Sequence, residues 1–407
     1  MSNPVRPYDL VLLGATGFTG RLVAEYLNKT YGVGDGLNWA MAGRNMEKLK
    51  SVRNEIGNDK IPLLEADSHN SEALDNIIRQ TSVLCSTVGP YALHGSNTVA
   101  SCVRNGTHYC DLTGEVHWIR RMIDKHHTEA EQKHVRIVHC CGYDSIPSEM
   151  GVHFLQSEAM KTFGAYCAHV KVGVKATSGG LSGGTVASLG NMIVEAEADN
   201  RIYDLLGDPY GLNPDEMRTG PDGPDLDSAQ YDEHYESWKG PFMMSAINTR
   251  VVRRGLALMD NPYGKDFQYD EFLLTGKGLS GQIKGRASAM IMRLAAAKPG
   301  SLINRLLSKL SPKPGEGPSR EKRENGFWVF DVLGVFGDGR TIRARMKGDK
   351  DPGYGSTSKM LGEAAVCLAK DELPDRYGVI TPVSAMGDAL LNRLQENSGI
   401  TFEVKSK

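Results

Sequence analysis

Three glycines, Gly14, Gly17 and Gly20, recur at a fixed spacing in the stretch LVLLGATGFTGRLVAEYL. An apolar run precedes them and an amphipathic helical pattern follows, so they sit where a strand turns into a helix. In such a turn the first glycine permits the tight bend. The second lets backbone approach a pyrophosphate, and the third lets the helix lie close on the sheet. Backbone N–H groups and the positive helix end then hold phosphate. The turn, with Ala15, Thr16 and Phe18 between and after its glycines, is expected to bind a dinucleotide. The next apolar run ends in AMAGRN, with Arg44 where an NAD site normally carries an acidic residue for the ribose 2′-hydroxyl. A guanidinium suits a 2′-phosphate, which makes NADP, as NADPH rather than NADH, the expected cofactor. Asp67 ends LLEAD as an adenine contact or, equally, as a helix cap. Thr87, Val88 and Gly89, in STVGPY, fall where a nicotinamide ribose would rest, although Gly89-Pro90 is also plain turn chemistry.

Hydride transfer also needs a group that gives or takes a proton. The ends of the apolar runs offer Tyr91, His94, Asp111, Thr113, Glu115, Tyr143, Asp144 and Ser145. Of these, Tyr91, Asp111, Tyr143 and Asp144 are the catalytic candidates, while Asp111 and Asp144 equally suit helix capping. Farther along, SGGLSGGT places Ser182, Gly183 and Gly184 in a glycine-rich loop that leads into a helix, as an anion site or a flexible connector. Arg250 in NTRVVRR is a candidate grip for a carboxylate or phosphate. A Tyr-x-x-x-Lys spacing occurs at Tyr235 and Lys239, in an acidic excursion far past the first apolar runs, and reads as chance. No cysteine or histidine spacing suggests a metal.

These residues need a scaffold. Through about residue 148, short apolar runs alternate with amphipathic segments: YDLVLLG, LNWAMAGR, KIPLLEAD, TSVLCSTVG, HYCDLTG and VRIVHCCG are six expected strands. Such alternation spells a doubly wound parallel α/β sheet. From 149 to about 380 the pattern shifts to AYCAHVKVGVK, which alternates, and FWVFDVLGVFGDGRTIRARMKG, a hairpin turning at Asp338-Gly339. This predicts a second, α+β domain with an antiparallel or mixed sheet, serving substrate binding or oligomerisation. Gly207 to Gly240 reads as a long surface excursion. In TPVSAMGDALLNRL, Thr381 caps a helix of about 381–396 with Pro382 at its first position.

A formal net charge of −2 gives no general pull toward nucleic acid. Seven cysteines without paired spacing read as reduced core thiols, and no secretory leader pattern or long apolar run is present, so a cytoplasmic protein is expected. Residues 290–310, MIMRLAAAKPGSLINRLLSKL, combine apolar with basic side chains and contain no acid. That fits a peripheral membrane or partner-binding helix pair; a pair packed on the protein's own core is the preferred alternative.

In order, GATGFTG, AGR, TVGPY, DLTGE and CGYDSIPS resemble the saccharopine dehydrogenase-like oxidoreductases. SGGT, NTRVVRR, PKPGEGPSR and TPVSAMGDALL extend the likeness, which is greatest to the trans-acting enoyl reductases that work beside polyketide synthases. The resemblance implies a Rossmann-type NADP-binding domain, a second α+β domain, and a C-terminal helix that returns to the first. It implies Gly14, Gly17, Gly20, Arg44, Thr87 and Gly89 as cofactor contacts. The expected activity is NADPH-dependent reduction of an enoyl or carbonyl group of a lipid or polyketide acyl thioester, by a possible homodimer. Two other readings stand beside it: a saccharopine-like amino-acid dehydrogenase, which needs arginines converging on carboxylates, and a non-catalytic NADP(H) sensor or membrane-associated scaffold.

Overall fold

The computed structural model describes residues 6–34, 36–179, 183–295, 301 and 317–405, with the side chains of 183–186 and 295 outside the description. Its strands in chain order begin with β1 (Tyr8–Leu13), β2 (Trp39–Gly43), β3 (Leu63–Glu65), β4 (Thr81–Ser86), β5 (His108–Asp111) and β6 (Arg136–Val138). They continue with β7 (His169–Ser178), β8 (Gln230–Asp232), β9 (Ser237–Gly240), β10 (Gln268–Gly276), β11 (Phe327–Val335) and β12 (Thr341–Gly348). The last are β13 (Gly378–Ile380) and β14 (Ile400–Val404). The chain divides into two units, one of residues 1–143, 315–317 and 353–399, the other of 144–314, 318–352 and 400–407.

In the first unit, seven strands form one sheet in the order β13-β6-β5-β4-β1-β2-β3, and every pairing is parallel. Leu10–Leu13, Trp39–Ala42 and Val83–Cys85 are buried, as strands covered on both faces must be. The expected doubly wound parallel sheet is borne out, with β13 as a seventh strand beside β6. β1 lies between β2 and β4, so the chain order reverses around it and opens a crevice at the strands' C-terminal ends. The helix Pro382–Asn397 packs on the helix Thr357–Lys370 within this unit. A capping box between Thr381 and Ser384 starts it, with Pro382 in its first turn. A buried carboxylate, Glu363, joins these helices to the first one: Tyr31 donates to it at 2.6 Å and Asn397 Nδ2 at 3.3 Å.

The second unit holds a mixed sheet, β14-β12-β11-β7-β10-β9-β8, in which β7 and β10 are parallel and the other pairs antiparallel. The hairpin β11–β12 turns through Gly339 at φ +85°, a left-handed conformation suited to glycine. The helix Ile146–Phe163 fits tightly on that hairpin at Gly151, where a Cβ would stand 2.6 Å from Met346 Cε. Residues 207–240, read from sequence as an excursion, are fastened from within. Arg253 Nε meets Asp222 at 2.6 Å and Arg254 donates to the Leu212 carbonyl. All seven cysteines are buried free thiols.

Candidate functional site

The turn after β1 is shaped by its glycines. Gly14 has φ +90°, and a Cβ there would lie 2.7 Å from Thr87 Oγ1 and 2.8 Å from Val88 Cγ2. A Cβ on Gly20 would lie 2.1 Å from the Gly14 carbonyl oxygen, so the helix start is pressed onto the turn. Gly17 caps the helix Phe18–Tyr31 with no side-chain hydrogen bond, and the first turn contains no acid. The positive end of this helix, with no acidic side chain in its first turn, therefore suits an anion. Ala15 N–H is used by the Ala42 carbonyl at 3.3 Å, and the Thr16 carbonyl accepts from Arg21 Nε at 3.3 Å. Phe18 meets Tyr354 edge to face at 5.1 Å, within the same unit.

Arg44 follows β2 and is exposed, with no hydrogen-bond or ion-pair partner among the described residues. Beside it, Asn45 Oδ1 caps the next helix by accepting from Lys48 N–H at 2.9 Å, which fixes the backbone that carries the guanidinium. Asp67 Oδ1 accepts from His69 N–H at 2.9 Å, so it shapes the turn after β3. The His69 and His94 rings hydrogen-bond at 2.9 Å. Burial holds His94 below the ordinary imidazole range, and the charges of His69 and Arg44 push the same way against Asp67. The sequence offers His94 only as one of several polar residues at the strand ends; the structure groups it with His69 and Arg44, where a 2′-phosphate is expected.

Thr87 Oγ1 donates to the carbonyls of Leu13 and Gly14, each at 3.2 Å, which locks the turn after β4 to the glycine turn. Val88 N–H reaches Ser86 Oγ at 3.4 Å, and Gly89 precedes Pro90 and the helix Tyr91–His94. This set fits NADP: a glycine turn closed to side chains, an uncapped helix start without acids, and an unpaired arginine at the end of the adjoining strand.

The catalytic candidates differ in how much freedom they have. Tyr91 is buried, donates its hydroxyl to the Ser86 carbonyl at 3.0 Å, and has its pKa raised by that burial. Its N–H and that of Ala92 are both taken by Glu115, each at 2.8 Å. Asp111 is fully buried and accepts from Tyr109 at 2.9 Å, Thr113 N–H at 3.1 Å and His139 Nδ1 at 2.8 Å. The His139 imidazole stands 4.9 Å from Trp118, and its Nε2 has no hydrogen-bond partner among the described residues. The sequence reading passed over His139 because it lies in an apolar run whose neighbours are core residues. Tyr143 is buried, and its N–H is bound by Thr357 Oγ1 at 3.0 Å.

Asp144 is different. No described group hydrogen-bonds its carboxylate, and burial raises its pKa to about 7. The next residue, Ser145, holds φ +100°, a strained conformation for a side-chain-bearing residue. Its hydroxyl donates to Asn248 Oδ1 at 3.0 Å, and Asn248 Nδ2 donates to Glu271 at 2.7 Å. That anchorage fixes the backbone beside Asp144. Glu271 is itself pushed up to about 7 by burial, although the hydrogen bonds from Asn248 and Tyr269 oppose the shift.

Of the substrate candidates, Ser182 lies outside the described residues, and Gly183 and Gly184 open the helix Gly183–Ala198. Arg250 is buried and faces Asp225 at 2.6 Å and the carbonyls of Ala246 and Leu206. It secures the excursion rather than standing ready for a ligand. Of residues 290–310, only 290–295 and 301 are described; the former end the helix Gly278–Ala295, where Met290, Ile291 and Leu294 are exposed. Among the described residues, no helix is long and apolar enough to cross a membrane.

Comparison with known proteins identifies the family. Residues 10–138 match the saccharopine dehydrogenase NADP binding domain, which bears out NADP as the cofactor. A Mycobacterium tuberculosis protein named as a trans-acting enoyl reductase is 38% identical over 417 residues, covering 97% of each chain. The trans-acting enoyl reductase of Mycobacterium ulcerans is 36% identical over 414 residues, again over 97% of each. Among solved structures, saccharopine dehydrogenase (L-Glu forming) of Saccharomyces cerevisiae superposes with a TM-score of 0.52 at 13% identity. That match covers 98% of this chain and 99% of the other, and shows a shared fold.

Proposed function

The chain belongs to the saccharopine dehydrogenase-like family of the trans-acting enoyl reductases, and from that premise we propose that it reduces the carbon–carbon double bond of a lipid- or polyketide-type enoyl thioester. It is an NADP-dependent oxidoreductase. Bound NADPH supplies a hydride to the β-carbon, which leaves an enolate that needs one proton at its α-carbon. Gly14, Gly17 and Gly20 shape the seat for the pyrophosphate, Arg44 binds the 2′-phosphate, and Thr87 holds the strand ends around the ribose. In this reading Asp144 gives the proton to the α-carbon and is reprotonated from solvent. A carboxyl with a pKa of about 7 is half protonated at neutrality, so it can donate and recover at the working pH. The unpaired, raised Asp144 carboxyl is the observation that carries the assignment.

The amino-acid dehydrogenase alternative is not favoured. It requires arginines free to converge on substrate carboxylates, yet Arg250 and Arg253 already face Asp225 and Asp222. The pH-rate profile tests the proton donor. Because the protonated form must act, turnover falls about tenfold per pH unit above about 7. Asp144→Asn lowers turnover by roughly 10²–10⁴-fold while NADPH affinity is retained. An unchanged profile and unchanged turnover in Asp144→Asn would remove Asp144 from the reaction.

A further inference from the structure

The helix Gly278–Ala295 turns its small residues inward and its large apolar ones outward. A Cβ on Gly281 would lie 2.0 Å from the Gly276 carbonyl oxygen, and one on Gly285 would lie 3.1 Å from Ala229 Cβ. Ser288 meets the strand β9 at Gly240, where a Cβ would stand 2.2 Å from its Oγ. These residues and the buried Ala289 bring the helix backbone close to the sheet. Leu279 is 71% exposed, Ile283 57%, Met290 54% and Ile291 64%. At about 100° per residue, Leu279, Ile283, Met290 and Leu294 fall within roughly 60° of arc, with Ile291 adjoining.

The flanks of that stripe are basic. Arg286 and Arg293 project along one side and Lys284 along the other, all exposed and without ion-pair or hydrogen-bond partners among the described residues. The helix sequence contains no Asp or Glu. A central apolar arc bordered by long cationic side chains is the pattern of a helix lying in a lipid interface, with its cations reaching the headgroups.

We propose that the outward face of the helix Gly278–Ala295 binds the surface of an anionic lipid bilayer. Leu279, Ile283, Met290, Ile291 and Leu294 enter the headgroup–acyl boundary, while Lys284, Arg286 and Arg293 contact lipid phosphates and carboxylates. A second copy of this chain is a poorer occupant, because two such helices face to face bring cations together with no helix carboxylate to meet them. The inference stands independently of the reaction, since none of these residues belongs to the cofactor or proton-donor groups.

The test is co-sedimentation of the full chain with phosphatidylcholine vesicles, with and without phosphatidylserine. Binding to the anionic vesicles is expected, with little to phosphatidylcholine alone and a decline as salt rises. Arg286→Ala together with Arg293→Ala is expected to weaken it roughly 30-fold, at about 1 kcal/mol per cation. Ile283→Ser with Ile291→Ser is expected to weaken it as well, with the melting temperature unchanged because these side chains are exposed. Absence of binding to anionic vesicles, or wild-type binding by either double variant, overturns the proposal. So does a stable dimer, seen by light scattering, that dissociates in the Ile283→Ser, Ile291→Ser variant. Saturable binding of a soluble acidic protein to this face with no vesicle binding also overturns it.

Discussion

Replacing Arg44 with alanine isolates the residue that should read the cofactor's 2′-phosphate. In the free protein the guanidinium is exposed and holds no ion pair or hydrogen bond among the described residues, so its loss breaks nothing in the fold. The backbone at this point is kept by Asn45, whose side chain caps the following helix at 2.9 Å. Stability should therefore change by no more than about 0.5 kcal/mol. A charge-assisted bond from arginine to phosphate contributes roughly 1.5–3 kcal/mol, and exposure of this side chain places the value toward the lower end. A loss of about 1.5–2 kcal/mol corresponds to roughly 10–30-fold weaker NADPH binding. NADH, which lacks the phosphate, should bind the variant and the wild type alike. Fluorescence or calorimetric titration of both cofactors against both proteins measures the difference directly, and added salt should shrink it. If NADPH and NADH lose affinity by the same factor, or neither does, Arg44 does not contact the phosphate and the basis for NADP selectivity lies elsewhere.

Other outcomes follow from the same geometry. NADPH affinity should rise as pH falls from neutrality: His94 is held below its ordinary range by burial and by His69 and Arg44, and a nearby dianionic phosphate favours its protonated form. Titrations across pH should show this proton uptake, and His94→Ala should flatten it. Gly20→Ala places a Cβ 2.1 Å from the Gly14 carbonyl oxygen, so the glycine turn must open; calorimetry should show NADPH binding reduced by at least tenfold, with a lowered melting temperature. Glu363→Ala removes the fully buried acceptor of Tyr26, Tyr31 and Asn397 and should cost about 1–3 kcal/mol in denaturant unfolding, because two half-buried tyrosine hydroxyls lose their shared carboxylate.

Where chemistry and backbone geometry are local, the sequence is readable. Gly14, Gly17 and Gly20 are spaced for one turn, and Arg44 stands at the end of one strand, so each is interpretable without its tertiary partners. Asp144 was visible as a polar residue after an apolar strand, but its raised pKa depends on surrounding burial that no local pattern reports. β13 escaped notice because three residues, Gly378–Ile380, carry too little periodicity to announce a strand; only parallel pairing with β6 makes them one. Arg250 looked available because its sequence neighbours are not acidic, whereas its partner Asp225 arrives from the preceding excursion. The helix Gly278–Ala295 shows a further limit. Periodicity reveals which residues share a face, but here glycine and serine form the packed face, because small side chains allow the closest approach, and the apolar stripe remains outside.

NADPH-dependent enoyl reduction is the central step. Its most direct test is to mix the protein with NADPH and a trans-2-enoyl thioester, follow the loss of reduced-nicotinamide absorbance, and weigh the product by mass spectrometry. Cofactor oxidation is expected only when the enoyl thioester is present, with a saturated product heavier than the substrate by two hydrogen masses. With deuteride-labelled NADPH, one deuterium should appear at the β-carbon and a solvent hydrogen at the α-carbon. Tight NADPH binding without consumption across enoyl thioesters of varied chain length would contradict enoyl reduction and favour a cofactor-binding sensor.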